Sequence, residues 1–410
     1  MKTTTVNGTN DYLPREVLIR DYLQNTILNV YRNCGFERIM TPALEDIENL
    51  DKSEGGDNLN LIFKILKRGD KLEKALEVED YKNLSDIGLR YDLTLPLSRY
   101  YANNRAKLVL PMKCIQIDKV YRAERPQKGR LREFVQCDID IIGDSSSNAE
   151  IELIATTSKA LIAIGMDKFR IKVNDRRILK GILKNAGFSE DMLDSVCISF
   201  DKLDKIGADG VQAELLEKGF PVEAVNKLAD IIGSLPLSVD SLNAICSEEE
   251  AISSLKRIME VSKQLAGGKY DIVYDMSLVR GQGYYTGTIF EVESSEFRGA
   301  IGGGGRYDNL IGKFVNEQIP AVGFSIGFER IFSILRDKGY DIPDGRKRIA
   351  LIYNPADYVA AEAKAEELRA EYDVSLFEQP KKLGKFLDKL TPLGYYGFFV
   401  CGQSEEIKVF

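Results

Sequence analysis

One short stretch of the sequence, YRAERPQKGRLREFVQ at 121–136, concentrates positive charge within an acidic protein. Its five cations and two carboxylates are Arg122, Arg125, Lys128, Arg130, Arg132, Glu124 and Glu133. An arginine guanidinium binds two phosphate oxygens at once and keeps its charge at any working pH. For an arbitrary charged loop, however, a solvated surface with scattered ion pairs is the simpler interpretation.

The residues flanking this loop favour a binding site. Apolar strands are predicted on both sides, with Arg122 and Glu124 on one face of the incoming strand. Phe134 and Gln136 share one face of the outgoing strand, because side chains alternate along a strand. A cation, a carboxylate, an aromatic ring and an amide are thus expected together, a combination typical of a nucleotide site.

A second candidate stretch, LVRGQGYYTGTIFEVE at 278–293, carries Arg280 and the pair Tyr284 and Tyr285. The pattern of residues 271–294 predicts a hairpin, with these side chains at the turn between two apolar strands. For Arg280 alone, a structural ion pair is as good an explanation as a binding role. The glycines at 302–305 would let the backbone approach a ligand closely, although a bulge or a loose turn is the alternative.

The composition restricts the function further. The chain has 410 residues and no histidine, which is either chance or the result of selection. Six cysteines without a CxxC pair argue against a zinc site or a disulfide framework and predict a cytoplasmic protein. With a net charge of −7, nucleic-acid binding would depend on a local basic patch. No signal peptide and no membrane span are predicted.

Several elements are predicted to position these residues. Apolar spacing predicts an amphipathic helix at 14–33, and a strand broken at Pro42 follows at 36–46. A strand entering a helix is predicted at 321–339. Residues 178–267 are helical in pattern, whereas strands and helices alternate through 349–410, as in a small α/β domain.

Six segments, in this order, resemble motifs of the histidyl-tRNA synthetase family of class II aminoacyl-tRNA synthetases. They are NGTNDYLP, GFERIMTPALED, LRYDLTLP, the loop at 121–136, LVRGQGYYTG with GGGGRYDNL, and GFSIGFERI. The resemblance runs from residue 7 to about residue 337 and implies an α+β fold, with an antiparallel sheet flanked by helices. The implied domains are a catalytic core at 1–177 and 268–337, a helical insertion at 178–267, a linker at 338–348 and a shortened anticodon-binding-like α/β domain at 349–410.

The resemblance implies ATP-dependent attachment of histidine to its tRNA through a histidyl-adenylate. The nucleophile of the first step is already a carboxylate, so positioning and cations matter more than a general base. ATP is expected with Mg²⁺, without a dedicated protein metal site. The implied partners are histidine, ATP, tRNA and a second copy of the chain, through the segment at 36–46, with no membrane.

Site residues follow from the matching motifs. The implied catalytic residues are Arg122, Arg280 and Arg330. The implied ATP-binding residues are Arg122, Glu124, Arg130, Phe134, Arg280 and Arg330. The implied histidine-binding residues are Asp92, Leu93, Thr94, Gln136, Asp140, Tyr284, Tyr285 and Tyr307.

The sequence departs from the family pattern in three places. GQGYY stands where the family usually has GLDYY, so Gly283 replaces an acidic residue. Asp92 and Asp140 occupy positions where part of the family has glutamate, and the tail is short. These departures leave one alternative, a non-catalytic histidine-sensing regulatory subunit of ATP phosphoribosyltransferase. A simple nucleic-acid-binding protein is disfavoured, because basic patches with interleaved aromatics are missing outside the loop.

Overall fold

The computed structural model describes residues 1–410 except 54–59, 81–82, 128, 280–282 and 344. The described chain divides into two compact units. The first contains Met1–Asn10 and Leu23–Ile334, and the second contains Asp11–Tyr22 and Leu335–Phe410. No described helix is both long and apolar enough to cross a membrane.

The described strands and helices are numbered here in chain order. The strands are β1 Glu37–Arg38, β2 Leu44–Asp46, β3 Lys64–Leu66, β4 Ser85–Leu89, β5 Met112–Tyr121, β6 Glu133–Ile142, β7 Phe169–Asp175, β8 Asp271–Tyr274, β9 Thr288–Ser294, β10 Ala300–Arg306, β11 Ala321–Ile326, β12 Arg348–Tyr353, β13 Asp373–Glu378, β14 Gly397–Val400 and β15 Lys408–Val409. The helices are α1 Pro14–Asn33, α2 Ile47–Ser53, α3 Asp70–Glu77, α4 Thr94–Asn104, α5 Asn148–Ala163, α6 Arg176–Ala186, α7 Leu193–Phe200, α8 Leu203–Glu217, α9 Val222–Gly233, α10 Glu249–Ala266, α11 Gly312–Val315, α12 Phe328–Asp337, α13 Tyr358–Leu368 and α14 Leu383–Leu390. Short 3-10 helices lie at Arg105–Lys107, Glu190–Met192, Val239–Ala244, Pro355–Asp357 and Thr391–Leu393.

The first unit is built on an eight-stranded sheet in the order β1-β5-β6-β11-β10-β9-β7-β8. Its inner pairs are antiparallel, and only the outer pairs β1·β5 and β7·β8 are parallel among the described strands. This arrangement confirms the predicted α+β class with a mainly antiparallel sheet. A smaller sheet of the same unit has the order β2-β4-β3.

The sequence of β6 explains why this strand separates a core from a cavity. The residues at 135, 137, 139 and 141 are Val, Cys, Ile and Ile, and all four are buried. The alternate positions hold Phe134, Gln136, Asp138 and Asp140, which lie on the opposite face. A buried strand with one apolar face and one polar face indicates that the polar face lines an enclosed site.

The predicted hairpin at 271–294 is wrong. β8 pairs in parallel with β7, with Ile272 opposite Ile171, whereas β9 pairs antiparallel with the other edge of β7. Parallel neighbours need a long crossover connection, and the chain between β7 and β8 supplies one through α6 to α10. The pattern of two apolar strands around a turn could not reveal that an earlier strand lies between them.

The second unit contains a four-stranded sheet in the order β13-β12-β14-β15. Its first three strands are parallel, and β15 is antiparallel to β14. Leu351 and Phe399 pack with Ala361 and Ala365 of α13, whereas Ala350 packs with Leu390 of α14. Helices therefore cover both faces of the sheet, as the strand–helix alternation in this part of the sequence predicts.

Candidate active site

A cavity of about 280 Å³ lies over the polar face of β6 and the neighbouring strands β11 and β10. The loop between β5 and β6, the start of α4 and the start of α12 complete its walls. Predicted site residues that line the cavity are Asp92, Thr94, Arg122, Glu124, Arg130, Phe134, Gln136, Asp140, Tyr284, Tyr285, Tyr307 and Arg330. Residues that are far apart in the sequence thus meet in one cavity.

Glycines form the floor of the cavity. The run at 302–305 lies inside strand β10, with a register shift between Ala300 and Gly302. A Cβ atom on Gly304 would lie 2.0 Å from the carbonyl oxygen of Gly323, and one on Gly323 would lie 2.0 Å from Oδ1 of Asp140. The run therefore belongs to a strand whose pairing with β9 contains a bulge next to Gly302, and the missing side chains of Gly304 and Gly323 let β11 and the Asp140 carboxylate approach closely.

Three buried carboxylates mark one end of the cavity, which we call the acid end: Asp92, Asp138 and Asp140. Asp140 Oδ1 accepts a hydrogen bond of 2.6 Å from the Tyr307 hydroxyl. Asp92 Oδ1 accepts one of 3.2 Å from the backbone N–H of Leu95, whereas its Oδ2 has no hydrogen-bond partner within the described chain. A buried, unpartnered carboxylate oxygen is an acceptor for a cationic ligand group.

Burial perturbs all three carboxylates of the acid end. Removal from water raises the pKa of Asp138 to about 7, opposed mainly by hydrogen bonds from Ser325 and Gln136. Burial also raises the pKa of Asp140, and the charge of Asp138 adds to the effect. The pKa of Asp92 is raised by burial too. A ligand cation would favour the ionised forms, because an opposite charge stabilises a carboxylate.

Tyrosine rings form a wall beside the acid end. The rings of Tyr284 and Tyr285 have centroids 4.9 Å apart, and those of Tyr284 and Tyr307 have centroids 6.0 Å apart. Tyr285 and Tyr307 also belong to the buried core of the first unit. These tyrosines therefore pack the core and line the cavity at the same time.

A second group of residues lining the cavity, which we call the arginine end, contains Arg122, Arg130 and Arg330. Arg122 Nε donates to the backbone oxygen of Tyr91 at 2.9 Å, and Arg122 Nη2 donates to Gln136 Oε1 at 3.1 Å. Gln136 Nε2 donates in turn to Asp138 at 3.0 Å. A chain of hydrogen bonds thus connects the arginine end to the acid end.

Further contacts hold the arginine end together. The guanidinium carbon of Arg122 lies 5.2 Å from the centroid of the Phe134 ring. Arg130 Nε lies 3.2 Å from Glu124 Oε2, and Arg330 Nη1 donates to the backbone oxygen of Ala300. Guanidinium groups beside an aromatic face suit a planar ring with phosphates attached.

Some predictions for the site differ from the structure or lie outside it. Arg122 and Glu124 follow the last residue of β5, so they belong to the loop and not to the strand. The Leu93 side chain is fully buried away from the cavity lining, and its backbone oxygen accepts from Gln116 Nε2. Arg280 lies outside the described residues. Gly283 has no heavy atom within 4 Å of the position that a Cβ would occupy.

Sequence reasoning missed several residues of the cavity lining, among them the polar residues Asp138, Ser325 and Glu329. Asp138 could have been found, because it falls between Gln136 and Asp140 at the spacing that places all three on one face of β6. Glu329 Oε1 accepts from the backbone N–H of Val135 at 3.1 Å and so joins α12 to β6. In the described part of the chain, no group of three or more carboxylates or thiols has an arrangement that could hold a metal ion.

Comparisons with known proteins agree with this architecture. The sequence profile of the histidyl-tRNA synthetase family matches residues 8–331. A histidine–tRNA ligase of Leifsonia xyli subsp. xyli is 40% identical, with 98% of this chain and 96% of that protein covered. One of Christiangramia forsetii is 35% identical, with 99% and 93% covered. The crystal structure of histidyl-tRNA synthetase from Nostoc sp. PCC 7120 is 28% identical and superposes with a TM-score of 0.78, covering 97% of this chain and 91% of that one.

The antiparallel sheet with its arginine-lined cavity is the architecture of a class II aminoacyl-tRNA synthetase. Because the family profile covers most of the sequence and the relatives match it over nearly its full length, this chain belongs to the histidyl-tRNA synthetase family. This family uses ATP.

Proposed function

We propose that this protein attaches histidine to its tRNA in two steps, with ATP as the energy source. The observation that carries the proposal is that the acid end and the arginine end line the same cavity and are connected by hydrogen bonds through Gln136. In the first step, a carboxylate oxygen of histidine attacks the α-phosphorus of ATP, and the bond to the bridging oxygen of pyrophosphate breaks. In the second step, a terminal ribose hydroxyl of the tRNA attacks the activated carbonyl carbon, and AMP leaves.

The acid end is suited to the amino acid. Asp92 Oδ2 is an acceptor for the α-ammonium group, beside Thr94 at the start of α4. The imidazole N–H donates to Asp140, whose other contact is the Tyr307 hydroxyl, and the tyrosine rings face the planar ring. A buried site that matches a substrate's hydrogen bonds rejects analogues lacking them, because its own polar groups are then unpaired.

The arginine end is suited to the nucleotide, which enters as its Mg²⁺ complex. Arg122 is proposed to bind the α-phosphate, because Tyr91 and Gln136 fix its guanidinium in place. Adenine is proposed to lie between Phe134 and Arg330, with Glu124 and Arg130 providing further polar contacts. Preorganised cations stabilise the charge that develops on the phosphate oxygens, and no protein base is required.

Arg280 stays a prediction, as a further cation against the α-phosphate. Arg280→Ala is expected to lower kcat of adenylate formation on the order of 10²-fold or more, the scale for removing one charge-stabilising group. A rise in the KM for histidine with unchanged kcat would contradict this role.

The remaining partners follow from the same proposal. The catalytic core is assigned to 1–177 and 268–337, the insertion to 178–267, the linker to 338–348 and tRNA binding to 349–410. Exposed Lys385 and Lys389 are four residues apart on one face of α14, exposed Lys382 directly precedes the helix, and the three cations suit an RNA backbone. Their replacement by glutamine should raise the KM for tRNA and leave adenylate formation unchanged.

A cytoplasmic homodimer is the proposed assembly. β1 is an edge strand of the large sheet, and Met40 and Leu44 close to it are exposed. An exposed strand edge beside apolar side chains is a surface that a second copy can cover. Sedimentation at micromolar concentration should give the mass of a dimer, and a fully active monomer would contradict the assembly.

The competing function is histidine sensing without catalysis. Arg122 and Arg330 both line the cavity, and a protein that only senses histidine does not need these two cations. Histidine-dependent exchange between ATP and pyrophosphate, followed by charging of tRNA, distinguishes the functions. Exchange without charging would locate the defect in the tRNA step, and the absence of both would favour the sensor.

A further inference from the structure

The segment between β9 and β10 places an aromatic ring against the arginine end from outside the cavity. Phe297 lies in this segment and is half-buried. Its ring centroid is 5.7 Å from the guanidinium carbon of Arg330. Arg330 lines the cavity, whereas Phe297 is absent from the described lining residues. The ring therefore contacts Arg330 without reaching into the cavity.

The tip of the loop between β5 and β6 meets the same ring. Gln127 and Arg130 exchange backbone hydrogen bonds of 3.0 and 2.9 Å, which close the tip into a tight turn. Gly129 in this turn has φ +74°, and a Cβ there would lie 2.8 Å from Cζ of Phe297 and 3.2 Å from Cγ of Arg330. Loop tip, ring and arginine are thus in direct contact.

We propose that Phe297 is a positioning residue for ATP. Its ring holds the Arg330 guanidinium over the adenine, and the tip of the loop at 121–136 packs against the same ring. The inference rests on the proposed function, since it assigns the adenine to the space between Phe134 and Arg330. With ATP bound, the order of layers is Phe134, adenine, Arg330 and Phe297. Nothing in the family resemblance points to position 297.

Two physical effects support this role. A free arginine side chain samples many rotamers, and fixing it before ATP arrives removes that entropy from the binding step. The ring face attracts the guanidinium, while the backbone oxygen of Ala300 accepts from its Nη1 and sets its direction. Losing the ring should therefore weaken ATP binding without affecting the acid end.

The experiment compares Phe297→Ala and Phe297→Tyr with the unmodified protein, by calorimetric titration with ATP and by exchange kinetics. Phe297→Ala should weaken ATP binding and raise the KM for ATP on the order of tenfold, the upper scale of one partly desolvated cation–ring contact. The KM for histidine should change less than about twofold, since the hydrogen bonds of the acid end are untouched. Phe297→Tyr keeps the ring face, but its hydroxyl extends from the Cζ atom that faces Gly129, so it should recover only part of the ATP affinity.

Tyr270→Ala is the matched control. It removes another half-buried ring of the first unit, one that stacks on Phe169 at a centroid distance of 5.1 Å and contributes nothing to the cavity. Equal ATP affinity of Phe297→Ala and the unmodified protein would overturn the proposal. So would an equal rise of both KM values, which would mean a general structural defect.

A double-mutant cycle tests the docking of the loop tip. Gly129→Ala introduces a methyl group that meets the Phe297 ring, and this contact is relieved when residue 297 is alanine, whereas the contact with Arg330 Cγ and the strain of φ +74° remain. The two substitutions should therefore be less than additive in their effect on ATP affinity, whereas full additivity would remove Gly129 from the proposal.

The direct titration separates this proposal from the proposed function. If ATP affinity depends on Phe297 but the protein shows no exchange between ATP and pyrophosphate, ligase activity is refuted and the positioning role of Phe297 is supported. Normal exchange with unchanged ATP affinity in Phe297→Ala would refute the positioning role of Phe297 and leave the proposed ligase activity intact. Failure of the unmodified protein to bind ATP would overturn both.

Discussion

The two ends of the cavity are constructed differently. The carboxylates of the acid end lie on strand β6 or beside the start of α4, and all are buried. The arginine end is built mainly from a loop, and the Arg130 side chain is 55% exposed. Regular elements fix the acid end by packing, whereas the arginine end depends on contacts of guanidinium groups with rings and backbone oxygens. The acid end is therefore suited to selection of a small substrate, and the arginine end to charge stabilisation.

The largest expected effect concerns the arginine end. Arg122→Ala should lower kcat for adenylate formation by roughly 10²- to 10³-fold, because a preorganised cation at the α-phosphate is lost. Arg122→Lys keeps the charge but lacks the fork that contacts Tyr91 and Gln136, so it should recover only part of the rate. Rapid-quench measurement of adenylate at saturating substrates checks both variants. Full activity of Arg122→Ala would show that the arginine end does not stabilise the charge that develops at the α-phosphate.

The second effect concerns the pH dependence of stability at the acid end. Asp138 has a pKa of about 7 in the folded protein, against its usual value of 3.8. Between these values the folded protein keeps a proton that the unfolded chain has released, so stability is lost as the pH rises through this window. Each unit of difference corresponds to about 1.4 kcal/mol, and the total is on the order of a few kcal/mol.

Asp138→Asn removes this titration. The free energy of unfolding, measured by denaturant titration from pH 4 to pH 8, should fall with pH more steeply for the unmodified protein than for Asp138→Asn. Asp86→Asn is the control, because Asp86 is exposed on β4 and contributes nothing to the cavity. Parallel curves for the unmodified protein and Asp138→Asn would mean that Asp138 does not titrate in this window.

A smaller effect is expected from Asp140→Asn, which preserves shape and removes the charge. Affinity for histidine should fall roughly tenfold, since a hydrogen bond to a charged group contributes about 1.5–3 kcal/mol and an amide retains part of it. Discrimination against ring analogues should also relax. Calorimetric titration with histidine and with a ring analogue checks this. Unchanged affinity for both would remove Asp140 from the binding site.

The sequence predicted the arginine end better than the acid end. Arg122, Glu124, Arg130 and Phe134 lie close together in one charged stretch of the sequence, so their common role could be inferred from local pattern. The acid end combines residues from several segments, and Asp138 was missed although the two-residue period of β6 includes it. Resemblance to a family located Asp92, but it also named Leu93, whose side chain packs in the core.

Long-range pairing explains the other differences. The strands at 271–274 and 288–294 are both apolar and close in sequence, yet each pairs with β7 and neither with the other. The local pattern does not contain this information, because β7 precedes the long helical segment. The glycine run at 302–305 likewise gave no strand signal, since glycine has low strand propensity. Its place in the sheet is set by β9 and β11 on either side.

The smallest kinetic effect is expected for a change that affects neither end. The chain contains no histidine, and neither the acid end nor the arginine end needs an imidazole of the protein. A triple variant combines Lys205→His, Lys263→His and Gln403→His, which replace exposed residues that do not line the cavity. It should leave the kcat of adenylate formation and the KM values for ATP and histidine unchanged. A measurable loss of activity would mean that histidine at exposed positions outside the cavity impairs catalysis.

The same variant tests why histidine is absent. Ribosomes stall at histidine codons when charged tRNA for histidine is scarce, which is when an enzyme that makes this tRNA is needed most. A message without such codons escapes the stall. Under histidine starvation, synthesis of the unmodified protein should therefore continue while synthesis of the triple histidine variant falls, measured by pulse labelling. The control carries Lys205→Gln, Lys263→Gln and Gln403→Asn, and it should behave as the unmodified protein does. If all three proteins declined equally, the absence of histidine codons would give no advantage under starvation, and the missing histidine would be an accident of composition.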